Sequence, residues 1–357
     1  MTREVPTIKA WTLLVTACTL CAAAPAYAAP SNYTTFDPPN SFYTQPECIN
    51  PAGTIAGYYY DDQTSNSQGF IRSAAGTITS VNVPDAVATE ILGLNASGTT
   101  TGIFIADNLW HGFVRTAGGA FMTFDPTGSI FTIAFSINDS GLITGVFQDS
   151  NYVYHGFLRA ADGAITTFDA PNAGTGPYQG TALQIEFSGV SGCSALNNAG
   201  VVTGSYADSN YVEHGFVRSA SGVITTFDVP GTDINTLPVS ISPSGVIGGS
   251  YYDAAGVHSF VRSAAGVITT FDPSNASATA PGSFLSGINP AGTVVGYAQL
   301  PDSSITAYVR TAAGTTSFLS LPGYGTFGFA INPAGTVTGY YINTDGGLHG
   351  FVATAPY

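Results

Sequence analysis

Lysine is almost missing from this sequence. Lys9 is its single copy in 357 residues, and only 8% of the chain is charged. Eight cations stand against 22 acids, a formal net charge of −14. Affinity for nucleic acid comes largely from cation–phosphate contacts, so this balance excludes nucleic acid as a partner. Anionic membrane surfaces are excluded for the same reason. Helix signals are lacking too: no apolar 3.6-residue period runs for ten residues. The longest apolar run, Ala10 to Ala24, falls short of the ~20 residues that span a bilayer. There is no P-loop, no GxSxG or HExxH, and no GxGxxG leading into a helix, which removes the best-marked nucleotide, hydrolase and zinc sites.

What is abundant is turn chemistry, with Gly 43 and Pro 21, alongside 44% hydrophobic residues. That combination means many short strands around a large core. The first residues read separately. Arg3 and Lys9 make a basic start, Ala10 to Ala24 an apolar stretch, and Ala26-Tyr27-Ala28 a small-residue cleavage site. Residues 1–28 are therefore expected to be a secretory signal peptide and 29–357 a single mature domain. Val15-Thr16-Ala17-Cys18 offers a rival lipoprotein box. Losing Arg3, Lys9 and Glu4 leaves six arginines and 21 acids. An excess of this kind serves solubility. Cys18 and Cys21 leave with the signal, while Cys48 and Cys193 remain.

The segment His214 to Gly231, HGFVRSASGVITTFDVPG, recurs through the chain. Its Phe216 has counterparts at Phe70, Phe113, Phe157, Phe260, Tyr308 and Phe351, spaced by 43, 44, 59, 44, 48 and 43 residues. A period near 45 residues is that of a propeller blade. Ahead of each copy runs a second signature. Asn50, Asn95, Asn138, Asn197, Asn289 and Asn332, with Ser242 in the fifth copy, are each followed three residues later by Gly. Asn holds a turn through backbone NH groups and Gly accepts positive φ, so this is a tight hairpin with a G1-type bulge. The residues before it alternate large aliphatic with uniformly small (Cys48, Gly93, Ser136, Ala195, Ser240, Gly287, Ala330). That is a period-2 strand, here strand A, suited to the crowded centre where blades converge. Strand B carries a recurrent Gly (57, 102, 145, 204, 249, 296, 339), a mark of close backbone approach or a bulge. Strand C holds the Phe, and strand D reads Thr-Thr-Phe-Asp.

The ends complement each other. Tyr33-Thr34-Thr35-Phe36-Asp37 is a strand D without A, B and C, and Leu348-His349-Gly350-Phe351-Val352 is a strand C without D. The expected fold is therefore all-β: a seven-bladed β-propeller, four antiparallel strands per blade, closed by the N-terminal strand joining the C-terminal blade. Closure removes open sheet edges, and a monomer is expected. On this map Cys48 and Cys193 lie three blades apart, too far for a disulfide unless the chain folds across the ring.

His-Gly-Phe followed by Gly, a strand, and Ile-Asn-x-x-Gly-x-(Ile/Val)-x-Gly resembles the repeats of bacterial extracellular HAF-repeat proteins, over residues 33–353. Here the middle residue is Gly112 or Ser259 where that family has Ala. The resemblance implies an exported repeat propeller and no established chemistry.

All five histidines hold one repeat position, and an Asp follows fourteen residues later: His111/Asp125, His155/Asp169, His214/Asp228, His258/Asp272 and, by closure, His349/Asp37. The copies without His have Gln68/Asn82 and Thr306/Ser320. Cross-strand neighbours have Cβ atoms about 5 Å apart, so the reading is a buried structural hydrogen bond in each blade. One His per blade does not converge on a metal. Arg72, Arg115, Arg159, Arg218, Arg262 and Arg310 each follow the repeat aromatic by two residues, pointing to bonds with turn carbonyls or Asp over a packed stem. Departures from the repeat carry the functional candidates. The longest loop is Ala170 to Gly189, bearing Tyr178 and Glu186. Glu47 and Glu90 fall near the inner strands of adjacent blades, and with Glu186 they form a candidate acid set for glycosidic chemistry. Trp110, Tyr152, Tyr178, Tyr211 and Tyr324 are candidates for stacking on sugar rings. Asp149-Ser150-Asn151 and Asp208-Ser209-Asn210 offer oxygens to Ca²⁺ without an EF-hand pattern, and no cofactor is otherwise expected. The expected function is glycan or protein binding through the loop-rich face by a non-enzymatic exported propeller. The alternative is a carbohydrate-active lyase or hydrolase using acids at the channel mouth.

Overall fold

The computed structural model describes residues 32–182, 193–231, 235–273 and 282–355. The expected signal peptide and Glu186 lie outside the described residues. Among those described there are strands, turns and bends but no helix. None is therefore long and apolar enough to cross a membrane.

The strands follow the repeat. β1 (Tyr33–Phe36) stands alone at the start. Then come β2 (Ser41–Ile49), β3 (Ile55–Asp61), β4 (Ser67–Arg72) and β5 (Ile78–Val81), followed by β6 (Ala88–Leu94), β7 (Thr100–Ala106), β8 (Leu109–Arg115) and β9 (Phe121–Phe124). β10 (Phe131–Ile137), β11 (Ile143–Gln148), β12 (Tyr154–Arg159) and β13 (Ile165–Phe168) precede β14 (Gly180–Ala182), β15 (Val202–Ala207), β16 (Glu213–Arg218) and β17 (Ile224–Phe227). β18 (Thr236–Ile241), β19 (Ile247–Tyr252), β20 (Val257–Arg262) and β21 (Ile268–Phe271) lead to β22 (Ser283–Ile288), β23 (Val294–Gln299), β24 (Ile305–Arg310) and β25 (Thr316–Leu319). β26 (Gly325–Ile331), β27 (Val337–Ile342) and β28 (Leu348–Ala353) close the chain.

Each group of four is an antiparallel meander. Its first strand is buried along nearly its whole length and its fourth is half exposed, so strand A is inner and strand D outer. β28 has no following strand of its own, and β1 pairs with it from Tyr33↔Ala353 to Phe36↔Gly350.

The recurrent residues explain the packing between units. Asn138 Oδ1 accepts from the Ser140 and Leu142 NH groups, which shapes the A–B turn. Its Nδ2 donates 3.2 Å to Asn197 O in the next unit. The same bond links Asn50 to Asn95, Asn95 to Asn138, Asn197 to Ser242, Asn289 to Asn332, and Asn332 back to Asn50. The strand-C aromatic is fully buried in every unit, and in five of them the strand-D Phe of the preceding unit meets it, as Phe124 meets Phe157 at 5.8 Å and Phe36 meets Phe70 at 5.9 Å. Burying one such ring contributes about 1.5–3 kcal/mol. The strand-C Arg lies over the same Phe: Arg72 over Phe36 at 4.9 Å and Arg310 over Phe271 at 4.2 Å. Its NH1 also reaches the next carbonyl of the C–D turn, at 3.2 Å for Arg159. Arg115 lies over Phe121 of its own unit, because the preceding strand D ends in Val81 where five other copies have Phe.

One expectation needs correcting. The extra residues after Ala170 do not simply lengthen the connection from D to A. Gly180–Ala182 already pairs with β15, and the chain rejoins the same strand at Ala195 and Leu196. The extra chain therefore interrupts strand A. In other units a β-bulge sits at this point, between Ala134 and Ser136 in β10, for example. A bulge already breaks the ladder there, so inserting residues at that position sacrifices the fewest strand hydrogen bonds.

Candidate functional site

Three of the five candidate aromatics come together. Tyr152 sits on the B–C loop after β11, Tyr178 on the segment before β14, and Tyr211 on the B–C loop after β15. The Tyr152 and Tyr178 rings lie 5.9 Å apart, and Tyr211 Oη donates 3.3 Å to Pro177 O. Their exposures are 48%, 61% and 59%. Unusually for aromatic residues, all three have left-handed backbone, with φ of 65°, 62° and 63°.

The loops beneath are firmly tied. Asp149 Oδ1 accepts from Asn151 N and Val153 N, and Asp208 repeats the arrangement with Asn210 and Val212. Tyr178 N donates to Tyr152 O at 2.7 Å, and Gln179 Nε2 to Ser209 O at 3.1 Å. The result is a preorganised patch of exposed aromatic side chains, two of them ring to ring and the third bonded to the residue before Tyr178. Trp110 instead stacks on Phe131 at 5.1 Å, and Tyr324, also exposed, belongs to the last unit beside β27.

The acids take different positions. Glu47 is 1% exposed, and its carboxylate accepts 2.6 Å from Gln45 Nε2. Gln45 in turn accepts from Tyr43 Oη. Glu90 is half-buried on β6. Burial first, then the nearby Tyr43, Glu90 and Glu47, push the Tyr58 hydroxyl well above its ordinary range, so these groups share one neighbourhood. Glu186 lies outside the described residues.

The histidines pair across C and D. His111 Nδ1 is 2.6 Å from Asp125, His155 and His214 are 2.9 Å from Asp169 and Asp228, and His258 and His349 are 2.7 Å from Asp272 and Asp37. They are not buried bonds: every pair keeps solvent contact, since the strand-D carboxylates lie at the outer edge of the sheet. Each imidazole also lies against a strand-B aromatic, as His155 does against Phe147 at 5.0 Å. Loop carboxylates approach the far nitrogen, Asp253 at 3.2 Å from His258. The Asp149 and Asp208 carboxylates accept from their own loop NH groups and from the Asn151 and Asn210 side chains. Among the described residues no group of three or more His, Cys, Asp or Glu could hold a metal.

His258 and three loop aspartates set a pH dependence. Burial pulls the His258 pKa down, but Asp272 and Asp253 outweigh it and hold it above the ordinary 6.5. Its contribution to stability is complete below 6.5 and is lost as pH rises through the folded value. Burial works against the Asp149 carboxylate, yet the Val153 and Asn151 groups bring its pKa below 3.8. Loop NH groups from Val212 and Ala255 lower Asp208 and Asp253 outright. Those contributions are present above 3.8 and are lost as pH falls through the lowered values. The melting temperature should therefore plateau between the two ranges and decline on the alkaline side. Solvent screening limits the His258 share to about 1–2 °C. Calorimetry on His258→Gln should show that share of the alkaline decline removed; a decline of undiminished depth would remove His258 as its source.

The platform was only partly visible in the sequence. Tyr152 and Tyr211 share the Asp-Ser-Asn-Tyr loop, a signal that pairs them, but nothing in the spacing brings Tyr178 between them. Similar solved folds exist. A streptogramin B lyase structure aligns with TM-score 0.57 and 14% identity, covering 91% of this chain and 99% of that one. A catalytically inactive virginiamycin B lyase from Staphylococcus aureus with quinupristin gives 0.57 at 12% identity, over 90% and 98%. The β-propeller domain of the Trilobed protease from Pyrococcus furiosus gives 0.55 at 7% identity, over 92% and 95%. No protein-family model and no curated protein matches the chain. At these identities the likeness is one of fold, and the fold is a repeat β-propeller.

Proposed function

We propose that this chain is an exported, non-enzymatic seven-bladed propeller that binds a glycan on the Tyr152–Tyr178–Tyr211 platform. The ring reading rests on β1 pairing with β28 and on Asn332 donating to Asn50. Export rests on the basic-apolar-small pattern of residues 1–28 and on the HAF-type repeats.

One observation carries the binding reading: three exposed tyrosines meet, each in a strained left-handed backbone held by its loop. Such conformations cost of order 1–3 kcal/mol each and persist where the surroundings over-determine them, commonly at ligand sites. Tyrosine suits sugar recognition because a pyranose C–H face packs on the ring while the hydroxyl bonds at the rim, with little side-chain entropy to lose. The acidic chain favours neutral over anionic glycans. The buried Glu47, already bonded by Gln45, is poorly placed to meet a solvent-borne substrate, which weighs for binding over glycosidic chemistry.

A glycan array probed with the mature protein should give hits. Tyr152→Ala, Tyr178→Ala and Tyr211→Ala should each weaken the best hit by about tenfold, the worth of ~1.4 kcal/mol. Their melting temperature should stay near wild type, because these side chains are exposed. Undiminished capture by the triple variant would sink the platform. Reducing-sugar release abolished by Glu47→Gln or Glu90→Gln would replace binding by catalysis.

A further inference from the structure

The repeat spacing puts Cys48 and Cys193 on blades far apart around the ring, yet the two side chains meet. Cys48 lies on β2 at the small-residue position of strand A, fully buried, with its Sγ 3.2 Å from Leu92 O on the next inner strand. Cys193 lies where the interrupted strand A resumes. It is held by Ser136 Oγ, which donates 2.8 Å to Cys193 O, and Ile241 N is bonded to the carbonyl of the adjoining Ser194. From there its side chain reaches across the centre. It packs against the apolar cluster of Cys48, Ile91 and Leu94 and against the one holding Ile49 and Ala330. The two thiols perturb each other's ionisation, and Cys193 Sγ lies 4.0 Å from Ser194 Oγ. Cys193 further lines the central opening on the side of the Asn turns, beside Asn138, Asn197 and Asn289. A sequence whose mature part has only two cysteines thus brings both to one point, through the one irregular inner strand.

We infer that Cys48 and Cys193 form a disulfide in the mature protein, stitching the first inner strand to the fourth across the central channel. The order of events follows from the environments. The neighbouring Cys48 lowers the Cys193 thiol pKa, while burial, then Cys193 itself, raises that of Cys48. Cys193, which is also the less buried of the two, is the attacking thiolate. It attacks one sulfur of a small-molecule disulfide such as oxidised glutathione, forming a mixed disulfide and expelling one thiolate. Cys48 then gives up its proton and attacks Cys193 Sγ, expelling the second. Two protein thiols become one disulfide, and the oxidant takes up two electrons and two protons as two thiols. An exported protein meets such oxidants.

The test uses the whole mature protein, reduced and then incubated with oxidised glutathione. The intact mass should fall by about 2 Da, the two hydrogens removed by exchange. A non-reducing tryptic digest should join the peptide ending at Arg72 to residues 160–218. The bond closes a loop of about 145 residues, so the melting temperature should rise by about 5–10 °C over the reduced form and over Cys193→Ser. Two maleimide-reactive thiols in the denatured, oxidised sample, or a lasting glutathione adduct on Cys193, would overturn the assignment. The mass readout needs no variant and is independent of glycan binding.

Discussion

Deleting residues 29–38 should lower the melting temperature by about 10 °C, because a single short strand closes the last sheet and covers the first. β1 supplies the outer strand to β28 over four residue pairs. At the same time Phe36 packs edge-on against Phe70, with Arg72 above it, and so bridges to the sheet of β2–β5. Asp37 accepts from Thr44 Oγ1 at 2.7 Å and pairs with His349 at the same distance. Losing a buried Phe alone costs about 3–5 kcal/mol. The deletion also leaves the β28 edge unpaired and open to aggregation. Scanning calorimetry checks the drop, and Phe36→Ala provides a milder version that keeps the strand. If the truncated chain melts like the intact one, the ends are not joined in solution.

The second large effect is expected at a residue with no side chain. In β11, a Cβ on Gly145 would stand 2.0 Å from Ile133 O and 2.6 Å from the Phe157 ring. β11 is paired on both sides, to β10 and β12, so its backbone has nowhere to retreat. The cause is the bulge in the neighbouring strand A, which turns a carbonyl toward strand B; Gly57, Gly102 and Gly339 meet Gln45 O, Glu90 O and Phe327 O in the same way. Gly145→Ala should destabilise by about 3 kcal/mol or more, read from the midpoint of urea unfolding. Gly128→Ala is the control. It has positive φ but open space around it, and should cost only about 1 kcal/mol. Equal effects at the two sites would mean that the collision is not what keeps the strand-B glycine, because Gly145, unlike Gly128, does not have positive φ.

Much of this architecture was legible because a repeat reports each position several times. The Asn-x-x-Gly turn, the strand-B glycine and the His/Asp correspondence each recur, and the structure puts a physical partner behind each. The partners between units were less visible. That Asn138 donates to Asn197, or that Arg159 lies over Phe124, depends on how neighbouring sheets stack. Sequence periodicity describes one unit and says little about the angle to the next. The long segment after Ala170 was misplaced for a similar reason. Counting residues shows that extra chain exists, but not whether it precedes a strand or interrupts it.

The chain alone determined the period, the strand class, the turn chemistry and the complementarity of its two ends. Those are local or repeated properties, and hydrophobic alternation with turn residues suffices to specify them. Tertiary structure decided what meets between units and between loops: Cys193 beside Cys48, Tyr178 beside Tyr152, Glu47 withdrawn from solvent. Contacts of that kind join residues of different repeats and occur once each, so no periodicity announces them. They arise only when the sheets pack against one another and irregular segments occupy the space that remains.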